Sequence, residues 1–274
     1  MPVTGLPAPL LTRAAWLAAA GIGVVALAAA QVQQAAVLSR AFTPRATALA
    51  ALVFLVALRG LRPHHPFAHL GPANVVTGAR ALLVALLAAV ALEPATAVAV
   101  DGSAAGALAR GAAWWVVALA VVSAAMDLAD GWLARRTRLA SAFGARFDME
   151  IDALLILVLS LLVWRTGKAG AWVAASGLMR YAFVAAAAVL PWMHRALPAS
   201  RRRQAVCVVQ IAALVAALAP LLPVRASGAV CAVSLALLAW SFWVDVSWLV
   251  RRRTDAVPAL PAIGAPVGAR PSGR

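Results

Sequence analysis

Five of the chain's nine acidic residues fall in one stretch, 127-DLADGWLARRTRLASAFGARFDMEID-152. Carboxylates gathered this way can hold hard cations, accept a proton, or do both. Their spacing sorts them. At about 100° per residue, Asp127, Asp130, Gly131, Ala134 and Arg135 fall within about a third of one helical wheel. Gly144, Asp148 and Asp152 recur every four residues and share one stripe of the next helix. Arg146 and Glu150 lie on the far side of that helix, four residues apart, and are expected to pair with each other. A short connection makes the two helices antiparallel neighbours. Asp127, Asp130, Asp148 and Asp152 can therefore converge on one cavity, with Glu150 turned away.

Four like charges cannot share a cavity unneutralised; protonation, arginine or metal must intervene. Carboxylate oxygens suit Mg2+ or Mn2+. A two-metal carboxylate site is a recurring device for phosphoryl chemistry, because it stabilises both the attacking and the leaving oxygens. No His or Cys is placed to make a zinc site. The small residues Gly131, Ala134 and Gly144 let a ligand approach the helix backbones. A single Asp at a span end reads as an interfacial cap. Four of the chain's seven Asp in two helical registers do not.

The elements that position these acids belong to a chain made for hydrocarbon. It is 64% hydrophobic and 12% charged, with mean hydropathy +0.91, against about 45–50% apolar in soluble domains. An all-α integral membrane protein follows. Candidate spans lie at 14–31, 45–60, 73–92, 112–134, 145–165, 171–191, 204–222 and 228–250. The first also fits a cleaved signal, with Arg13 before an apolar run and 26-ALAAA-30 after it; a retained helix is preferred. Residues 251–274 lack periodicity and read as a disordered basic tail. Cys207 and Cys231 sit in apolar runs and read as packing residues.

The formal charge of +15 comes from 23 Arg and Lys168. No aromatic-interleaved basic stripe or nucleic-acid module accompanies it, so nucleic acid is not an expected partner. Arginine placement instead sets topology. With the loop 135–143 in the cytoplasm, that face carries 15 basic residues and the opposite face six. The acid cluster then faces the cytoplasm. The Arg- and Ala-rich composition fits a GC-rich bacterial genome and hence a bacterial inner membrane.

Residues 127–152 read D-x2-D-G-x2-A-R-x8-G-x3-D-x3-D, which resembles the signature of the CDP-alcohol phosphatidyltransferase family. Upstream, 72-PANVVTGAR-80 resembles the P-N-x-x-T-x-x-R opening of that family's first core helix, with one extra residue after Pro72. The resemblance implies a six-helix core over 73–250, preceded by a two-helix extension over 1–72. It implies displacement of CMP from CDP-diacylglycerol by an alcohol, using two Mg2+ or Mn2+ ions. By position, Asp127, Asp130 and Asp148 would bind the metals, and Asp152 would touch metal and act as general base. Asn74, Thr77, Arg80, Gly131, Ala134, Arg135, Ser141 and Gly144 would line the CDP site. It also suggests a homodimer.

The signature does not name the acceptor. Arg195, Arg201, Arg202 and Arg203 on the same face favour a phosphorylated alcohol such as glycerol 3-phosphate or an inositol phosphate, with Arg180 either part of the acceptor-site wall or a member of a structural ion pair. Asp245 would pair with an arginine there or receive an amino-alcohol. The competing reading is a transporter that uses the acids as a cation path. The acids' position near one face, with no visible internal repeat, argues against it.

Overall fold

In the computed structural model, residues 8–35, 38–64, 70–94, 113–127, 136 and 141–253 are described. They form eight long helices, with no strand among them. These are α1 (Ala8–Ala35), α2 (Phe42–His64), α3 (Pro72–Ala91), α4 (Ala113–Asp127), α5 (Ala142–Arg165), α6 (Ala175–Val189), α7 (Arg201–Leu218) and α8 (Val224–Arg251). Short 3-10 turns, Ala171–Ala174 and Pro191–His194, flank α6. Of the tail expected over 251–274, residues 251–253 form the end of α8 and its closing turn, while 254–274 lie outside the described residues, as does the 95–112 segment.

Local chemistry fixes the helix ends that matter for the site. Extended Gly71 precedes Pro72, whose missing N–H is harmless in a first turn. The α5 N-terminus is capped by Ser141, whose Oγ accepts from Gly144 N at 3.0 Å. At the other end of α5, Gly167 takes a left-handed φ of 69°. Its N–H bonds Trp164 O and that of Lys168 bonds Val163 O, closing the helix in a Schellman motif. Lys168 Nζ then donates to the carbonyls of Ala219 and Leu222, in the turn that joins α7 to α8.

Helix α5 runs through the core. Ile151, Leu155, Leu159 and Leu162 pack with Ala81, Val84 and Leu87 of α3, Ala120 of α4, and Ile211 and Leu214 of α7. Against α6 the approach is closer. A Cβ placed on Gly177 would run into the Cα of Leu157, so a residue without a side chain is what lets these two helices touch. The α1–α2 pair docks through a second cluster, in which Val25, Ala29, Phe42, Ala46 and Ala50 meet Ala85, Leu86 and Ala89 of α3.

Five helices are long and apolar enough to cross a bilayer: α1, α2, α3, α6 with its preceding turn, and α8. Many large apolar side chains on them face outward, among them Trp16, Leu27, Val189 and Trp243, as suits a lipid solvent. Helices α5 and α7 depart from uniform apolarity because of the charges they carry, while the described part of α4 is apolar but shorter. The first part of α5 carries Arg146, Asp148, Glu150 and Asp152. Helix α7 opens on Arg201, Arg202 and Arg203, and the described part of α4 ends at Asp127. The chain is an integral membrane protein.

Candidate active site

Helix α3 turns Thr77, Arg80, Ala81 and Val84 inward. Arg80 is fully buried, a position a guanidinium reaches only when carboxylates surround it. Its Nη1 lies 2.8 Å from Asp127 Oδ1 and 2.6 Å from Asp148 Oδ1, and its Nη2 bonds Asp152 Oδ1. The three carboxylates come from α4 and from one face of α5. Each offers an oxygen within 4.8 Å of the others'. Their side chains remain 22%, 37% and 19% exposed, so the cluster opens on one side while Arg80 closes the other.

The donor set is all carboxylate oxygen, the chemistry preferred by hard divalent cations. Three carboxylates against one guanidinium leave two formal negative charges, which a divalent ion would balance. The residues present therefore fit a metal such as Mg2+ or Mn2+. Of the expected site residues, Asp130, Gly131, Ala134 and Arg135 lie outside the described residues.

Gly144 and Asn74 define how closely α5 approaches α3 at the site. A Cβ on Gly144 would stand 2.5 Å from Asn74 Oδ1, so a side chain there would have to push the Asn74 amide aside. The Asn74 Nδ2 is buried and has no partner among the described residues. Thr77 is buried, with Oγ1 bonding Ala73 O within its own helix. Ser141 serves as the α5 cap.

Glu150 stays out of the carboxylate cluster, as the helical wheel requires. The ion pair it makes is with Arg180 of α6, where the sequence alone suggested Arg146. Arg180 thereby takes the ion-pair role rather than that of a site wall. The basic group at the start of α7 is organised by Asp245. Its Oδ1 receives Arg202 Nη2 at 2.5 Å and Arg203 Nη1 at 3.2 Å, while Arg202 also bonds Ser241 and lies over Trp240. Arg201 is exposed and Arg195 half-buried near the same end.

One contact escaped the sequence reading. The Sγ of Cys207 lies 3.9 Å from Asp152 Oδ2, which makes this cysteine part of the site wall as well as a packing residue. The only advance signal is its place four residues after Arg203, on the same face of α7. Cys231 is wholly buried in the main core.

The model of the CDP-alcohol phosphatidyltransferase family matches residues 70–246, more than half of the chain. No curated protein and no solved structure matches it. The matched region begins just before α3 and ends within α8. It includes every residue of the Arg80–carboxylate cluster. An intramembrane acid cluster of cation-binding chemistry, carried by helices of this match, makes the chain a membrane transferase of phospholipid biosynthesis, and it belongs to the CDP-alcohol phosphatidyltransferase family.

Proposed function

We propose that the chain transfers the phosphatidyl group of CDP-diacylglycerol to a small alcohol, with release of CMP. The observation that carries this reading is the convergence of Asp127, Asp148 and Asp152 on buried Arg80. Asp130, three residues after Asp127 in the sequence, would complete the acidic set as the family resemblance implies. Two Mg2+ or Mn2+ ions held by these carboxylates would neutralise the pyrophosphate and the departing CMP.

The chain's own residues divide the remaining work. Asp152 takes the proton of the acceptor hydroxyl as that oxygen bonds the lipid-bearing phosphorus and the bond to the CMP oxygen breaks. Arg80 fixes the carboxylates and limits their mutual repulsion. Asn74, Thr77, Gly131, Ala134, Arg135, Ser141 and Gly144 border the nucleotide. The unpartnered Asn74 Nδ2 supports this, since a buried donor without an acceptor invites a ligand oxygen. Cys207 backs Asp152.

For the acceptor, glycerol 3-phosphate or an inositol phosphate fits the basic group best. Asp245 supplies one negative charge against Arg202 and Arg203, so the group keeps a positive excess, with Arg195 and Arg201 beside it. Arg180, engaged by Glu150, is the weakest member of the expected acceptor set. The arginine asymmetry supports an active site facing the cytoplasm of a bacterial inner membrane. Residues 1–72 would form an extension, 73–250 the catalytic core and 251–274 a tail, and the core would assemble as a homodimer.

The test is a panel of alcohols offered to the purified protein in lipid, with CDP-diacylglycerol and Mg2+ or Mn2+. CMP release that requires a phosphorylated acceptor, and is reduced about tenfold or more in Arg203→Ala, supports the reading. Release driven by serine or ethanolamine instead would refute the acceptor assignment. Release with no alcohol in the panel would refute the transfer itself.

A further inference from the structure

The two arginines that meet Asp245 are held differently. Arg202 is fixed on three sides. Its Nη1 donates to Ser241 O and Ser241 Oγ, its Nη2 donates to Asp245 Oδ1 at 2.5 Å, and its guanidinium lies 5.6 Å from the centre of the Trp240 ring. Arg203 makes a longer bond, 3.2 Å from Nη1 to the same Asp245 oxygen, and its Nη2 donates to the carbonyl of Pro198 in the segment before α7. Asp245 is buried, and its bonds to both arginines go through Oδ1. One oxygen shared by two guanidinia forgoes the forked contact that makes an arginine–carboxylate pair strong. Arg203 is therefore the arginine that is more readily released.

The position of Arg203 gives that release a use. Cys207 follows it by four residues, about 6 Å along the same face of α7. The Cys207 Sγ lies 3.9 Å from Asp152 Oδ2. A guanidinium let go by Asp245 thus starts one helical turn from the proposed base, on the face of α7 that carries Cys207 to it. We infer that Asp245 is a parking anion, which holds Arg203 until the phosphate of the acceptor alcohol takes its place, while Arg202 stays as the anchor. A phosphate suits the exchange, because it is nearly doubly charged and has oxygens enough to fork the guanidinium. An alcohol without an anionic group cannot displace Asp245, so Asp245 acts as a specificity determinant. This inference rests on the transfer reading above and deepens it. It separates Arg203 from Arg202, which that reading treats alike.

Asp245→Asn keeps the shape of the side chain and removes the charge that competes for Arg203. In lipid nanodiscs, its Kd for inorganic phosphate and its KM for glycerol 3-phosphate should each fall about tenfold, with kcat within about twofold of the wild type. Adding Arg203→Ala to Asp245→Asn should abolish the gain, which a general change in surface charge would not require. Phosphate binding that is unchanged or weaker in folded Asp245→Asn, or a gain that survives Arg203→Ala, would overturn the inference. Asp245→Ser carries the test if Asp245→Asn does not fold. Failure of both to fold would also overturn it, since a contact that opens in each turnover cannot be what holds α7 to α8. If the wild type releases no CMP with any alcohol, the transfer reading fails separately, and the phosphate Kd values still decide whether Asp245 competes for Arg203.

Discussion

Arg80 is the residue on which the site's electrostatics turn. It donates to three carboxylates from two helices, and a planar guanidinium can do this where a lysine ammonium cannot. Arg80→Lys is expected to keep the fold but lower CMP release by about tenfold or more, since a point charge loses the forked contacts. Arg80→Met leaves the carboxylates uncompensated. Its melting temperature should fall by the equivalent of about 3–5 kcal/mol, and added Mg2+ should restore more of it than in the wild type. An equal Mg2+ response in both proteins would show that the acids bind no cation. Much of this was legible in advance. Spacing alone set Asp148 and Asp152 on one stripe and excluded Glu150, while Arg80 entered only through the family resemblance. The partner of Glu150 was not legible, because Arg180 stands on another helix and helical periodicity says nothing across helices. Cys207 was unreadable for a related reason: one cysteine in an apolar run has no pattern to betray what it faces.

At the scale of elements, close contacts and distant polar ties hold the site's helices. Gly177 allows α6 to touch the α5 backbone at Leu157. Gly177→Val should cost about 1–3 kcal/mol by overpacking, seen as a lower melting temperature in detergent. A variant as stable as the wild type would mean that the helices can separate freely. At the end of α3 remote from the carboxylates, Glu93 is fully buried. It accepts from Ser39 N at 2.9 Å, Ser39 Oγ at 2.8 Å and Arg45 Nη1 at 3.1 Å. This ties the α1–α2 connection to the core, and Arg165 of α5 joins by donating to the Glu93 carbonyl. Glu93→Ala would strand these donors, at about 1–3 kcal/mol for a buried one. Limited proteolysis should then release the extension faster than in the wild type; equal cleavage rates would show that the tie is dispensable. Hydropathy located these helices, and capping residues such as Ser141 explain their starts. The tie itself was hidden, because its partners lie about fifty positions apart and each looks like an ordinary span-end polar residue.

Over the whole molecule, apolar side chains face outward while α3, α4 and α5 bring charge to one place. On the proposed reading, that division would let a lipid-borne pyrophosphate reach the carboxylates from the bilayer while a water-soluble alcohol approaches from outside. The composition revealed the solvent and the signature revealed the family. Neither indicated that an apolar pocket lies between α1–α2 and α3, because a pocket depends on how helices dock rather than on any local run of residues. The most direct test follows CMP release from CDP-diacylglycerol by purified wild type and Asp152→Asn, with the preferred acceptor, with and without a chelator. The expected result is release by the wild type that stops when Mg2+ and Mn2+ are removed. Asp152→Asn should still bind the CDP-lipid but turn over about 100-fold more slowly or less, the scale of a lost general base. Wild-type release undiminished by the chelator, or Asp152→Asn turnover at the wild-type rate, would contradict it.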